Sequence, residues 1–263
     1  MSYEIDENGL PVEVDDFQPP PVNDNLAFIV GETGTGKSMC LMGMKDDPGI
    51  MYLNCESGKK LPFKEKFLKL TITDPMDIYA AFDEAESMDD IHTIVIDTAT
   101  YMMNMFESIH VIGSDNTMQQ WGAYAQFWKN LMQYYVAKST KNVIILAHTS
   151  VVYDKEEMTN KVVVPVKGSL AKEGLESYFS FVVATKKVLI KELKGYENPY
   201  LIITEEDEEL GYKHVFQTRL TKDTVNERIR GPFGMWSRQE TYIDNNIKFV
   251  LERLNEYYND EAE

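Results

Sequence analysis

Residues 31–38 read Gly31-Glu32-Thr33-Gly34-Thr35-Gly36-Lys37-Ser38, and no other stretch restricts the fold as tightly. The pattern G-x4-G-K-[ST] works only where a strand runs into the loop and a helix leaves it. Backbone N–H groups must curl inward around an anion while the helix N-terminus faces it. Both flanks comply: Leu26-Ala27-Phe28-Ile29-Val30 is a short apolar run of strand character, and Ser38-Met39-Cys40-Leu41-Met42-Gly43-Met44 follows as a helix. In such a loop the lysine, here Lys37, reaches the outer phosphates of a nucleotide, and the hydroxyl, here Ser38, ligates Mg2+. Gly31, Glu32, Thr33, Gly34, Thr35, Gly36 and Met39 complete the candidate nucleotide-binding set. The plain alternative is a Gly-rich turn ahead of an amphipathic helix.

Along the rest of the chain, strand-like apolar runs alternate with helix-like segments, the pattern of an α/β fold with a mainly parallel sheet flanked by helices. Strands are expected at 26–30, 50–54, 93–97, 142–147 and 179–184, and helices at 36–44, 74–88 and 116–137. The last helix carries Trp121, Tyr124, Trp128, Leu131 and Tyr135 at spacings of three and four, a stripe expected to face the core rather than to stack on nucleic acid. Residues 151–154 and 161–166 flank Lys155–Asn160 as the arms of a projecting β-hairpin. No internal repeat is visible.

Charge divides the chain of 263 residues. Lys and Arg number 26 against 43 Asp and Glu, a net −17 that argues against a protein that simply coats DNA or an anionic membrane. Eleven of the acids lie in residues 1–24 and 255–263, which hold no Lys or Arg, so the body carries only −6. Residues 161–194 contain seven Lys and three Glu. The first 24 residues, with Pro19-Pro20-Pro21, are expected to be a largely disordered acidic tail, residues 25–254 one domain, and residues 255–263 a second acidic tail. No apolar run approaches the roughly 18–20 residues of a membrane span, and the N-terminus has no secretory pattern. Two cysteines, Cys40 and Cys55, make no disulfide framework or metal cluster and point to a reducing cytoplasm.

A phosphate-binding loop needs an acidic partner at the end of a buried strand to hold the metal's water shell. His92-Thr93-Ile94-Val95-Ile96-Asp97 supplies one; a helix-capping Asp is compatible with the same position. Many ATPases of this class place a Glu directly after that Asp, but here Thr98-Ala99-Thr100 follows, which disfavours helicase-type and typical AAA+ sites. Ile50-Met51-Tyr52-Leu53-Asn54-Cys55-Glu56 offers a carboxylate instead, either a base for water at the γ-phosphate or a solvated strand end.

In this order, the phosphate loop, the Glu56 strand, the Asp97 strand and Asn142-Val143-Ile144-Ile145-Leu146-Ala147-His148 resemble the ATPase core of the RecA/RadA recombinases. The resemblance is closer to short phage-encoded RecA-like ATPases of single-strand annealing and recombination, and it covers roughly residues 25–250. It implies that Glu56 is the catalytic glutamate, Asp97 the Mg2+-associated aspartate, and His148 a γ-phosphate sensor at the start of a mobile loop. It also implies that residues 101–120 and 149–169 face DNA. The first offers Met and aromatic side chains and no Lys or Arg; the second offers Lys155, Lys161 and Lys167, with Lys172 just beyond, diluted by Asp154, Glu156 and Glu157. Hairpin contact with DNA and a merely solvated hairpin both remain open. Such ATPases complete their site with a basic residue from a neighbouring subunit. Lys167, in Pro165-Val166-Lys167-Gly168, is the first candidate; Arg219, Arg228 and Arg230 are others.

The resulting expectation is an ATP- and Mg2+-dependent ATPase acting on single-stranded DNA as a homo-oligomeric ring or filament, without membrane attachment. It would work in recombination, annealing or replication, in the host cytoplasm if phage-encoded, with a single-strand-binding protein as a conceivable partner. Two rivals stand beside it: a small-molecule P-loop kinase, and a nucleotide-gated DNA-binding module with little hydrolysis.

Overall fold

The computed structural model describes residues 2–5, 11–14, 23 and 25–259. Two strands, β1 (Ser2–Ile5) and β2 (Pro11–Val14), pair antiparallel with each other. The acidic tail expected over residues 1–24 otherwise lies outside the described residues, Pro19–Pro21 included, and this pairing is not something its composition announces.

The body is built on β3 (Leu26–Gly31), β4 (Ile50–Asn54), β5 (Leu68–Thr71), β6 (Thr93–Asp97) and β7 (Asn142–His148). A separate hairpin, β8 (Ser150–Asp154) and β9 (Thr159–Val163), projects after β7, and β10 (Val182–Leu189), β11 (Tyr212–Gln217) and β12 (Tyr242–Asp244) complete the set. The main sheet runs β12-β11-β10-β3-β7-β6-β4-β5. Every pairing from β10 through β5 is parallel, and β11 and β12 extend one edge antiparallel. This is an α/β fold with a mostly parallel central sheet, as the alternation of apolar runs requires.

The central strands read as continuous apolar runs because both faces are covered. Alternate residues enter opposite cores. Phe28, Met51, Leu53, Ile94 and Ile96 belong to one, while Ala27, Ile29, Ile50, Tyr52 and Val95 belong to the other. The first core is covered by α1 (Asp77–Ser87), α2 (Ala99–Phe106) and α3 (Thr117–Asn130). Tyr124, Trp128 and Leu131 of the aromatic stripe are fully buried there, with Trp121 and Tyr135 packed at its margin. Each buried large side chain contributes about 1.5–3 kcal/mol, so the stripe is core and not a stacking platform. The chain then passes short helices α4 (Leu170–Glu173), α5 (Ile190–Leu193) and α6 (Glu205–Leu210). The second core is covered by the 3-10 helix Ser38–Met44 and by α7 (Ile247–Asn259).

Two segments bear on the expected site and tails. Residues 99–106, which overlap the start of the segment 101–120 expected to face DNA, form a helix whose N-terminus is capped by Thr98; Met102, Met103 and Phe106 are buried in the first core. At the C-terminus, α7 runs five residues past the expected limit at 254. Ile247, Val250 and Leu254 recur on its buried face, and the Tyr257 hydroxyl donates to the Phe233 carbonyl at 3.0 Å. Among the described residues, no helix is long and apolar enough to cross a membrane.

Candidate nucleotide-binding site

Because β7 lies between β3 and β6, the loop after β3, His148 at the end of β7 and Asp97 at the end of β6 open on the same edge of the sheet. The loop is braced from behind. The Thr35 hydroxyl sits 2.6 Å from that of Thr185, His214 Nδ1 lies 2.7 Å from the Thr35 carbonyl, and Asn245 Nδ2 donates to the Gly36 carbonyl at 2.8 Å. Gly36 has φ of 106°, in the left-handed region, and a Cβ there would fall 2.6 Å from Asn245 Nδ2. No other residue type fits that position without displacing its brace.

Lys37 is folded back onto its own loop, donating to the carbonyls of Gly31 at 2.9 Å and Glu32 at 2.8 Å. Burial lowers its ammonium to about 8, against the opposing pull of Asp97 and Glu56. A cation so poorly solvated gains by exchanging two carbonyls for phosphate oxygens.

Asp97 is buried at the end of β6. Its Oδ2 accepts from Ser38 Oγ at 2.8 Å and from the Tyr52 hydroxyl at 2.7 Å, while Oδ1 is buried without a partner. Burial raises this carboxyl above the ordinary range, with the two hydroxyls and Lys59 acting in the opposite sense. An unpartnered buried carboxylate oxygen is costly. Next to the Ser38 hydroxyl it suits the water shell of Mg2+, an ion usually held by one or two protein groups and completed by phosphates and water. Among the described residues, no cluster of three or more His, Cys, Asp or Glu could hold a metal ion. Ser38 and Asp97 therefore fit the metal role that sequence assigns them.

Glu56 lies two residues beyond β4, its side chain 7% exposed. Its Oε1 is 3.0 Å from His148 Nε2, and its Oε2 accepts from Lys59 Nζ at 2.6 Å. Burial favours the neutral acid, but the bonds from His148 and Lys59 outweigh it and hold the carboxyl down at about 2. Main-chain bonds fix the neighbours: Asn54 Oδ1 accepts from the Glu56 N–H at 2.9 Å, and Thr100 Oγ1 accepts from the His148 N–H at 2.9 Å.

A cleft of about 210 Å³ brings together Thr33, Gly34, Gly36, Lys37, Ser38, Met39, Glu56 and His148, with Lys59, Lys60 and Pro62 added. A larger cavity of about 400 Å³ lies on the other flank of the loop and takes in Gly31, Glu32, Thr33, Gly34 and Thr35, but not Lys37, Glu56 or Asp97. The chemistry belongs to the smaller one. None of the candidates for a trans-acting cation lines the smaller cleft, although Arg228 lines the larger cavity. Lys167 pairs with Glu107 at 2.6 Å on the surface, Arg219 donates to the Trp236 carbonyl, Arg228 pairs with the Glu176 carboxylate, and Arg230 donates to the Glu176 carbonyl.

Sequence reasoning missed Tyr52 and Lys59. Tyr52 pairs with Val95 across the β4–β6 ladder, which makes Asp97 its diagonal neighbour. Lys59 sits three residues after Glu56 across a Ser-Gly turn, a spacing that brings the ends of a tight turn together.

No curated protein matches the chain. The sequence does match the AAA_24 family, described as an AAA domain, over residues 24–218. Thr98 occupies the position after the strand aspartate, and the carboxylate that lines the cleft is that of Glu56. The matched span takes in the loop, both carboxylates and His148, so sequence family and geometry concern the same residues. The chain belongs to the AAA_24 family, a family of P-loop NTPases.

Proposed function

We propose that the chain hydrolyses ATP·Mg2+ in this cleft and couples the reaction to single-stranded DNA as a RecA-like oligomer in recombination, annealing or replication. One observation carries the reading. Glu56, from the strand that follows the P-loop, is hydrogen-bonded to His148 inside the cleft that contains Lys37 and Ser38.

Mg2+, when bound, supplies positive charge at the outer phosphate oxygens; Ser38 and the Asp97 carboxylate are the groups that would hold it and its water. Lys37 leaves the Gly31 and Glu32 carbonyls for the phosphates. Glu56 orients a water against the γ-phosphorus and takes its proton as the P–O bond to ADP breaks. His148 reports the phosphate to the chain, since it bonds Glu56 and begins the segment leading to the β8–β9 hairpin. Lys167, 59% exposed at its side chain, is the cation we assign to the neighbouring subunit's site.

Support for the DNA face is side-chain exposure. Tyr101, Ile112 and Met118 stand out on one segment, and Val152, Tyr153 and Met158 on the hairpin. Charge supports it less, because Lys161 pairs with Asp154 and Glu157, and Lys167 with Glu107. Contact with DNA then rests on stacking and on few free lysines, so the salt dependence per subunit is shallow.

A second reading, a nucleotide-gated module with little turnover, is favoured by the engagement of both Glu56 oxygens in this state. Phosphate release with and without single-stranded DNA, paired with the mass of the assembly, separates the two. DNA-stimulated release by an oligomer supports the ATPase; ATP-dependent assembly with background release supports the module.

A further inference from the structure

We propose that Lys59 is a second ligand of the terminal phosphate, and that it blocks Glu56 until that phosphate arrives. The proposal rests on the ATPase reading of the cleft and concerns how its base is kept idle.

The turn that carries Lys59 is built to return to Glu56. Ser57 and Gly58 both take left-handed backbone conformations, φ 56° and 77°, and the Lys59 N–H donates to the Glu56 carbonyl at 3.1 Å. Glycine adopts this conformation freely, whereas serine does so at a cost, so surrounding contacts must hold the turn. Asn54 supplies them at both ends, accepting from the Glu56 N–H at 2.9 Å and donating to the Lys59 carbonyl at 2.8 Å. The main chain of residue 59 is thus anchored beside the strand end while its four-carbon side chain stays 65% exposed.

In this state both oxygens of Glu56 already accept a hydrogen bond, which weakens the carboxylate as a base. Oε1 is engaged by His148 and Oε2 by Lys59. Departure of one partner strengthens Glu56 as the group that orients a nucleophile, and the two are not equally free. The His148 side chain is 16% exposed, its ring packs edge-on against Tyr101 at 5.5 Å, and its main chain is tied to Thr100. Among the described residues, Lys59 is bound through its ammonium to the Glu56 side chain alone, on a flexible and largely exposed stem.

The incoming group also favours Lys59 as the one that moves. Lys59 lines the cleft beside Lys37, and each lysine lies close enough to Glu56 to feel its charge. A γ-phosphate carries more charge than one carboxylate and more acceptor oxygens, so it competes for the ammonium. ADP presents no such group, and Lys59 then stays on Glu56. One side chain would therefore read the presence of the third phosphate and release the base in the same movement.

Binding of Mg2+·ADP and of Mg2+·AMP-PNP to the full chain tests this, with Lys59→Ala and Lys59→Arg compared to wild type by calorimetry. The expected result is a loss of AMP-PNP affinity of about tenfold or more in Lys59→Ala, with ADP affinity within twofold and Lys59→Arg recovering most of the loss. Equal losses for both nucleotides, or none, overturn the role of Lys59 while leaving the cleft a nucleotide site. Failure of wild type to bind either nucleotide overturns the nucleotide reading, and this proposal with it. Thermal melts of the variants guard against a folding defect, which would depress both affinities together and count against the proposal.

Discussion

Replacing Tyr52 by Phe removes one hydroxyl from a buried strand and leaves the ring in place against Phe67, whose centroid lies 6.2 Å away. That hydroxyl donates at 2.7 Å to Asp97 Oδ2, and the other oxygen of this buried carboxylate has no partner. Hydrogen bonds to charged groups contribute about 1.5–3 kcal/mol, so a loss of about 2 kcal/mol is expected at pH 7. In a chain of this size that lowers the melting temperature by roughly 4–8 °C. The loss should depend on pH. Tyr52 stabilises the charged form of Asp97, whose carboxyl burial already raises. In the variant it rises further. The wild-type advantage is thus fully present above the variant's raised value and shrinks as acid protonates the carboxyl in both proteins. Denaturant unfolding of both proteins at pH 7 and pH 4 reads the difference. A loss below about 0.5 kcal/mol at pH 7, or an equal loss at both pH values, would refute the reasoning that the hydroxyl serves a buried charge.

Glu56→Gln should destabilise the chain near neutrality by about 2–3 kcal/mol, from a carboxyl held at about 2 against its ordinary 4.5. Because that value is depressed, the stabilisation is complete above pH 4.5 and is lost as pH falls toward 2. Unfolding curves at pH 7 and pH 2.5 should therefore separate and then converge. Leu254→Ala should cost about 2–5 kcal/mol in urea unfolding, since Leu254 is 1% exposed in the core under α7. Cys40 and Cys55 are free, buried and raised in pKa by burial, so Ellman's reagent at pH 8 should leave both untouched until the protein is unfolded. Tyr153→Ala on the exposed hairpin should weaken single-stranded DNA binding by about 1–3 kcal/mol in fluorescence anisotropy without moving the melting temperature.

The parts legible in sequence are those in which a local pattern carries its own physical reason. The P-loop with its flanking strand is one, and the apolar runs at 50–54 and 93–97, buried on both faces, coincide with β4 and β6. Strand β10 begins at Val182 rather than at 179 and extends to Leu189. Phe179 and Phe181 are as apolar as the strand, so composition gives no stop signal there. Strands β11 and β12 were missed because they form an antiparallel edge with mixed polarity, Tyr212-Lys213-His214 among them. The helix over 99–106 overlaps the segment expected to face DNA, although its buried Met102, Met103 and Phe106 have helical spacing and a helix after Asp97 is one of the readings the sequence leaves open. At the site, Glu56, Asp97 and His148 could be picked out as strand-end residues, while the roles of Glu56 and His148 come from the family resemblance. Tyr52 and Lys59 could not, because their roles depend on a cross-strand diagonal and on a turn whose path no propensity fixes.

The most direct test of the account is phosphate release by Glu56→Gln at saturating ATP·Mg2+, with nucleotide affinity measured on the same preparation. If Glu56 is the base, affinity stays within about threefold of wild type while the rate falls by roughly 10²–10⁴. Hydrolysis within twofold of wild type, with ATP bound, would contradict the central claim and return the cleft to a site that binds nucleotide without using this carboxylate.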